Sequence, residues 1–298
     1  MNGNGQKQIF QVKNYMKKSH LSMFMPLLVG GFLATATLAF AQGSLTPPGA
    51  PAQTMKSLDQ VEPRTAIAYA GSAINNSGSY YLTTNVIGFS GANGIGIYSD
   101  NVTLDLNGFT VQGVSGSYSG IYISGSHTNI IIRNGIVTGW GTDGVTYNYP
   151  TGAPQNVVLE RLNVSANGHH GIAIANGCVV SDCVIQNNQN VGIAVFGNGS
   201  QVVGNTLSGN NAGNSSNSGG IVLEGSNNRI EGNHVTGSGP TGYGILFNFS
   251  SYTNNVIVKN SVAGNGANNY STVGGSGNDF GPVGTAASST SPWANISH

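Results

Sequence analysis

The feature that most constrains this chain is a unit opening with Gly, an aliphatic residue, a variable residue and another apolar one, which occurs seven times. The copies are GIGI at 94, GIYI at 120, GVTY at 144, GIAI at 171, GIAV at 192, GIVL at 220 and GILF at 244, with spacings of 26, 24, 27, 21, 28 and 24 residues. A unit this short cannot bury an apolar face alone. It must stack on its neighbours, and self-similarity at a period of roughly 20–50 residues marks a solenoid or array.

Each unit continues with a second β-like run, such as NVTLDLN at 101, NIIIRN at 129, NVVLER at 156, QVVGN at 201 and NVIVKN at 255, and a third short run closes the coil. Alternation inside each run turns one face inward, and the Gly, Asn and Ser clusters between runs carry turn chemistry. Three strands and three turns per coil predict an all-β, single-stranded parallel β-helix of triangular section, with about seven to nine coils. A leucine-rich repeat would need its Leu-x-x-Leu-x-Leu framework, and helical repeats need long Ala, Leu, Glu and Lys runs; neither is present.

Charged residues make up only 7% of the 298, while Gly numbers 46 and apolar residues reach 39%. Neutral polar side chains must therefore solvate the surface, and the apolar content excludes disorder. Lys7, Lys13, Lys17 and Lys18 precede residue 42 and every acidic residue follows it, leaving six basic against ten acidic residues, net −4. No Lys/Arg cluster remains, which excludes nucleic acid and anionic membrane surfaces as partners.

A basic segment ending in Lys17-Lys18, an apolar stretch from Leu21 to Phe40 and Ala39-Phe40-Ala41 before Gln42 predict a secretory signal over 1–41, starting at Met1 or Met16. Its cleavage leaves no membrane span, and the product is expected outside the cell, on its surface or in the periplasm. Residues 42–65 are a Pro-rich linker, 66–275 the solenoid with an irregular cap coil, and 276–298 a C-terminal cap in which Trp293 offers an apolar plug. Cys178 and Cys183 stand at the two ends of one strand, roughly 16 Å apart, too far for a disulfide. They are expected as small buried side chains, and no metal site is expected.

Aligning the second turn gives the column Asn107, Asn134, Arg161, Asp182, Asn205, Asn233 and Asn260, which predicts an amide ladder. Arg161 and Asp182 fall on adjacent coils and are expected to pair.

The GI-x-I…I-x-x-N pattern, with SNNRIEGN at 226–233, resembles the right-handed β-helix repeat proteins of the pectate-lyase-like superfamily over about residues 66–275. The resemblance implies a right-handed helix on a scaffold that hosts lyases, hydrolases, tailspikes and adhesins. It also implies that any catalytic groups lie on the exposed face of the first strand and the loops beside it. The outward rows there are Gly96, Tyr122, Thr146, Ala173, Ala194, Val222 and Leu246, then Tyr98, Ser124, Asn148, Ala175, Phe196, Glu224 and Asn248. Glu224 is their one acid, whereas glycosidic cleavage uses two carboxylates or a base with a cation. Gly168-His169-His170-Gly171 is similar to the Gly-His-Gly element of polygalacturonases, placing His170 among the candidates. That family's Asn-Thr-Asp, Asp-Asp and Arg-Ile-Lys elements are absent.

The sequence thus predicts a non-catalytic exported scaffold for surface structure, adhesion or glycan binding, with a polysaccharide lyase or glycoside hydrolase as the alternative. Catalytic candidates under the alternative are His170, Glu224, Arg161 and Asp182. Candidate sugar contacts are Tyr98, Tyr122, Trp140 and Phe196. No cofactor is expected, calcium entering only with the lyase alternative. The stripe Ala173, Ala175, Ala194, Phe196, Val222 and Leu246 is expected to be an apolar surface face covered first by the linker or tail folding back, with a second copy or a sugar chain as the other covers.

Overall fold

The computed structural model describes residues 63–149, 152–271 and 277–298; the predicted signal segment and nearly all of the linker lie outside them. Among the described residues every regular element is a strand, and no helix is long and apolar enough to cross a membrane.

The strands stack in parallel, coil on coil, into about eight full turns. A first face is one nine-stranded sheet made of Ser72–Ile74, Ile95–Ile97, Ile121–Ile123, Val145–Tyr147, Ile172–Ile174, Ile193–Val195, Gly219–Leu223, Tyr243–Phe247 and Asn268–Tyr270. The second and third faces are joined as one eighteen-stranded sheet, because Thr128–Thr138 and Gln155–Ser165 run unbroken round the corner between them. Inward residues fall into vertical columns. Leu104, Ile132, Leu159, Val180, Val202, Ile230 and Ile257 are register partners on the second face and are buried throughout. Each such aliphatic side chain contributes about 1.5–3 kcal/mol of burial.

The motif glycine is explained by distance rather than torsion. A Cβ on Gly171 would lie 2.7 Å from the Gly192 carbonyl oxygen, and one on Gly192 would lie 2.6 Å from that of Gly220. Any side chain there would force the coils apart.

Two columns replace the single second-turn column. Asn134, Arg161 and Asp182 have left-handed backbone (φ 59°, 51° and 54°), a position continued by Gly204, Gly232 and Lys259. Asn205, Asn233 and Asn260 stand one residue later, point inward and are buried. The half-turn from a left-handed residue to an inward one is a single step in sequence, so a gap-tolerant alignment merges the two. Asn233 shows why the inward ladder holds. Its Oδ1 accepts the Asn205 backbone N–H and side-chain amide, both at 3.0 Å, while its Nδ2 donates to Val202 O at 2.8 Å and Asn260 Oδ1 at 3.0 Å. Asn295 terminates this ladder as the fully buried plug. Trp293, expected in that role, is instead half exposed with Lys259 Nζ 4.5 Å over its ring.

Trp140 is also corrected. It is 1% exposed, its indole N–H donates to Val111 O at 3.0 Å, and Gly88 and Gly94 leave the space its ring fills. A core residue of this kind cannot stack on a sugar.

Asn233→Ala orphans buried amide groups on both adjacent rungs and should lower stability by about 2–4 kcal/mol, read from the shift in chemical denaturation midpoint. A shift worth under about 0.5 kcal/mol would show that the ladder is not a stabilising element.

Candidate functional site

The residue immediately before each of the first five motif glycines stands in one column: Asn93, Ser119, Asp143, His170 and Val191. Each coil's backbone N–H there can bond the side chain one coil earlier. Ser119 N–H donates to Asn93 Oδ1 at 2.9 Å, His170 N–H to Asp143 Oδ1 at 2.9 Å, and Val191 N–H to His170 Nδ1 at 3.3 Å. The stacking that holds the turns therefore sets Asp143 directly against the His169-His170 pair.

Asp143 Oδ1 also lies 2.9 Å from His169 Nδ1. Burial, the largest single influence on Asp143, works to raise its carboxyl, but the His169 hydrogen bond, the charge of His170 and the His170 N–H together outweigh it and hold the group below the usual carboxylate range. The carboxylate is thus ionised and accepts, so His169 Nδ1 carries the proton of their contact. His170 is 8% exposed, and burial pushes it down to about 4 against the pull of Asp143, so this ring is neutral at pH 7. The two imidazole centroids are 3.7 Å apart.

These three residues line a cleft of about 640 Å³ outside the first face. Its walls include Tyr118, Tyr122, Tyr149 and Phe196, with Ser119, Thr142 and Thr146 between them. Tyr149 stacks on Phe196 at 5.2 Å and 27°, and Phe196 reaches to 5.8 Å from His170. No Lys or Arg is among the residues lining the cleft.

Of the residues expected from sequence, His170, Tyr122 and Phe196 come together here. Tyr98 is exposed and folds over Gly96, outside the cleft lining. Glu224 accepts from Asn248 Nδ2 at 2.6 Å and does not line the cleft. Arg161 and Asp182 belong to the other sheet's corner. Arg161 does not pair with Asp182: its Nε donates to Asn134 Oδ1 at 2.8 Å and its Nη2 to Glu160 Oε1 at 2.5 Å. These contacts draw the guanidinium to its own coil and the preceding one. The apolar stripe is likewise not exposed. Ala173, Ala175, Ala194, Val222 and Leu246 are buried, with Phe196 and Tyr243 packed against them, so they present no free face to a second copy. Cys178 and Cys183 are free and buried; burial pushes the Cys183 thiol up to about 11.

Asp143 and His169 were absent from the strand rows because they stand in the preceding turn. Stacking the units on the residue before the motif glycine, instead of on the strands, brings Asp143 beneath His170.

Residues 65–212 match a family model described as a right handed beta helix region. The chain folds as a right-handed parallel β-helix. No curated protein matches its sequence. The β-helix is similar to the enzymatically active domain of tailspike protein 2 of bacteriophage CBA120, at 15% identity and a TM-score of 0.39, over 67% of this chain and 39% of that one. It is also similar to the Dettilon tailspike protein, at 12% identity and a TM-score of 0.37, over 78% of this chain and 61% of that one. For alginate lyase from Paenibacillus sp. the identity is 16% and the TM-score 0.38, over 71% and 78%. The chain spans less than two thirds of either tailspike chain.

The depressed His170 gives the β-helix a testable pH dependence. Its folded value of about 4 lies below the ordinary 6.5, so the unfolded chain binds the extra proton. Stability in chelator-treated buffer should be full above pH 6.5 and fall progressively toward pH 4, by on the order of 3 kcal/mol. The Asp143 contribution is lost only below the carboxylate range, beneath this window. His170→Asn, which keeps an acceptor for Val191, should flatten the slope between pH 6.5 and 4; an unchanged slope would assign it to other groups.

Proposed function

We propose that this protein is an exported, non-catalytic β-helix that binds a neutral glycan chain in the cleft outside its first face. The observation that carries this reading is the cleft's lining: several aromatic rings around neutral hydroxyls, without a Lys or Arg to meet an acidic sugar. Ring faces pair with the apolar faces of pyranose rings, and Ser, Thr and Tyr hydroxyls exchange hydrogen bonds with sugar hydroxyls. The net charge of −4 after residue 42 favours the same neutral class over an anionic polymer. Export rests on the basic, apolar and Ala-x-Ala sequence of residues 1–41, and the absence of basic clusters argues against a nucleic-acid partner.

The catalytic alternative has one observation in its favour, the base-orienting Asp143–His169 pair. Elimination from a uronate also needs a cation to neutralise the sugar carboxylate, with calcium as the expected one, and the single acid of the cleft lining does not supply the oxygen ligands calcium takes. Binding without cleavage is therefore the better supported function.

The test is affinity electrophoresis of the purified chain through neutral and acidic polysaccharides, followed by analysis for cleaved products. Retardation by a neutral polysaccharide without cleavage is expected, weakened about tenfold by Tyr149→Ala or Phe196→Ala, as for a central aromatic contact, and unchanged by Tyr98→Ala. Release of unsaturated or reducing ends, or retardation insensitive to both cleft variants, would overturn the proposal.

A further inference from the structure

Two Asp–His pairs in this protein share one cross-coil design. Asp100 Oδ1 accepts the Thr128 N–H at 2.8 Å and lies 3.1 Å from His127 Nδ1. Asp143 Oδ1 accepts the His170 N–H at 2.9 Å and lies 2.9 Å from His169 Nδ1. In each, the histidine directly precedes the residue whose backbone amide binds the carboxylate. Holding a turn accounts for everything the first pair does. The second differs in one side chain: where the first has Thr128, it has His170.

That substitution adds a third donor. A carboxylate oxygen of Asp143 and one ring nitrogen each from His169 and His170 lie within 4.8 Å of one another. We propose that Asp143, His169 and His170 form a binding site for a first-row divalent cation of the zinc class, open toward the cleft.

The donor set selects the cation. Two imidazoles and one carboxylate suit zinc, cobalt or nickel, and three protein ligands leave further coordination positions for water or a bound ligand. Calcium takes about 6–8 oxygen ligands, which one carboxylate does not supply. Metal–ligand bonds of about 2.0–2.2 Å bring donor atoms to roughly 3–4 Å of one another, so modest side-chain rotation closes the set.

The backbone that carries the ligands is already fixed. His169 N–H donates to Thr142 O and His169 O accepts from Asn190 N–H, both at 2.9 Å, and His170 O accepts from Gly144 N–H at 3.0 Å. Both contacts on Asp143 converge on Oδ1, so Oδ2 can ligate while the His170 amide still orients the carboxylate, as an outer partner should. What binding displaces is small: the proton shared by His169 and Asp143, and at His170 the 3.3 Å contact from Val191, long for such a bond.

The test is titration of the purified full chain, after chelator treatment, with Co²⁺ and then Zn²⁺, following visible absorption. One equivalent of Co²⁺ should give the intense bands of a four- or five-coordinate site, and Zn²⁺ should abolish them. Asp143→Asn and His169→Asn should each weaken binding by at least about tenfold, while Asp100→Asn in the two-donor pair should leave it unchanged. His169 is half exposed, so that variant retains the fold, which far-UV circular dichroism checks. A spectrum of the hydrated ion alone would overturn the proposal, as would binding undiminished in Asp143→Asn and His169→Asn or lost in Asp100→Asn.

Discussion

Everything in this molecule depends on the hydrogen-bonded stacking of each coil on the one before it. A strand of three residues has no stability of its own; it exists because its N–H and C=O groups are satisfied by the coils above and below. The turns face the same requirement without a regular ladder, and there side chains do the bonding. Asn205, Asn233 and Asn260 hold one corner, Asn167, Asn188 and Asn210 another, and Ser200, Asn228 and Asn255 the third. A protein with so few charges can be polar inside because each buried amide finds its partner one coil away.

The same rule builds the cleft. Once each turn residue must offer an acceptor to the next coil's amide, any two residues at equivalent turn positions on adjacent coils are brought into contact. Asp143 and His170 satisfy that structural rule and, in doing so, place an ionised carboxylate, two imidazoles and an aromatic wall on one surface. The ion pairs of the second face follow the rule too. Asp105 meets Arg133 and Glu231 meets Lys259 across coils on the sheet away from the cleft, while Arg229 meets Glu231 within one strand, so those charges are accounted for by one another.

The fold was legible because its signal is redundant: seven glycines, each required by the close approach of the next carbonyl, and inward aliphatics alternating in every strand. The site was legible only in pieces. His170, Tyr122 and Phe196 fall on or beside the motif, whereas Asp143 lies 27 residues before His170 and gains its meaning only from exact turn register. Trp140 misled because a large aromatic in a Gly-rich turn looks exposed, and the glycines that make room for it belong to other coils. The Arg161 to Asp182 pairing failed for a local reason: Glu160 on its own coil and Asn134 on the preceding one engage the Arg161 guanidinium.

The register between the coils that carry Asp143 and His170 is the claim on which the site rests. Thr146 and Ala173 are outward neighbours on those two coils, because Val145 pairs with Ile172. The direct measurement is disulfide formation in the double variant Thr146→Cys/Ala173→Cys under mild oxidation, compared with Thr146→Cys/Ala175→Cys. Parallel neighbours about 4.8 Å apart fall within the Cα separation a disulfide accepts, so the first pair should close readily within one chain and the second should not. Preferential closure of the 146–175 pair, or of neither, would contradict the stacking that brings Asp143, His169 and His170 together.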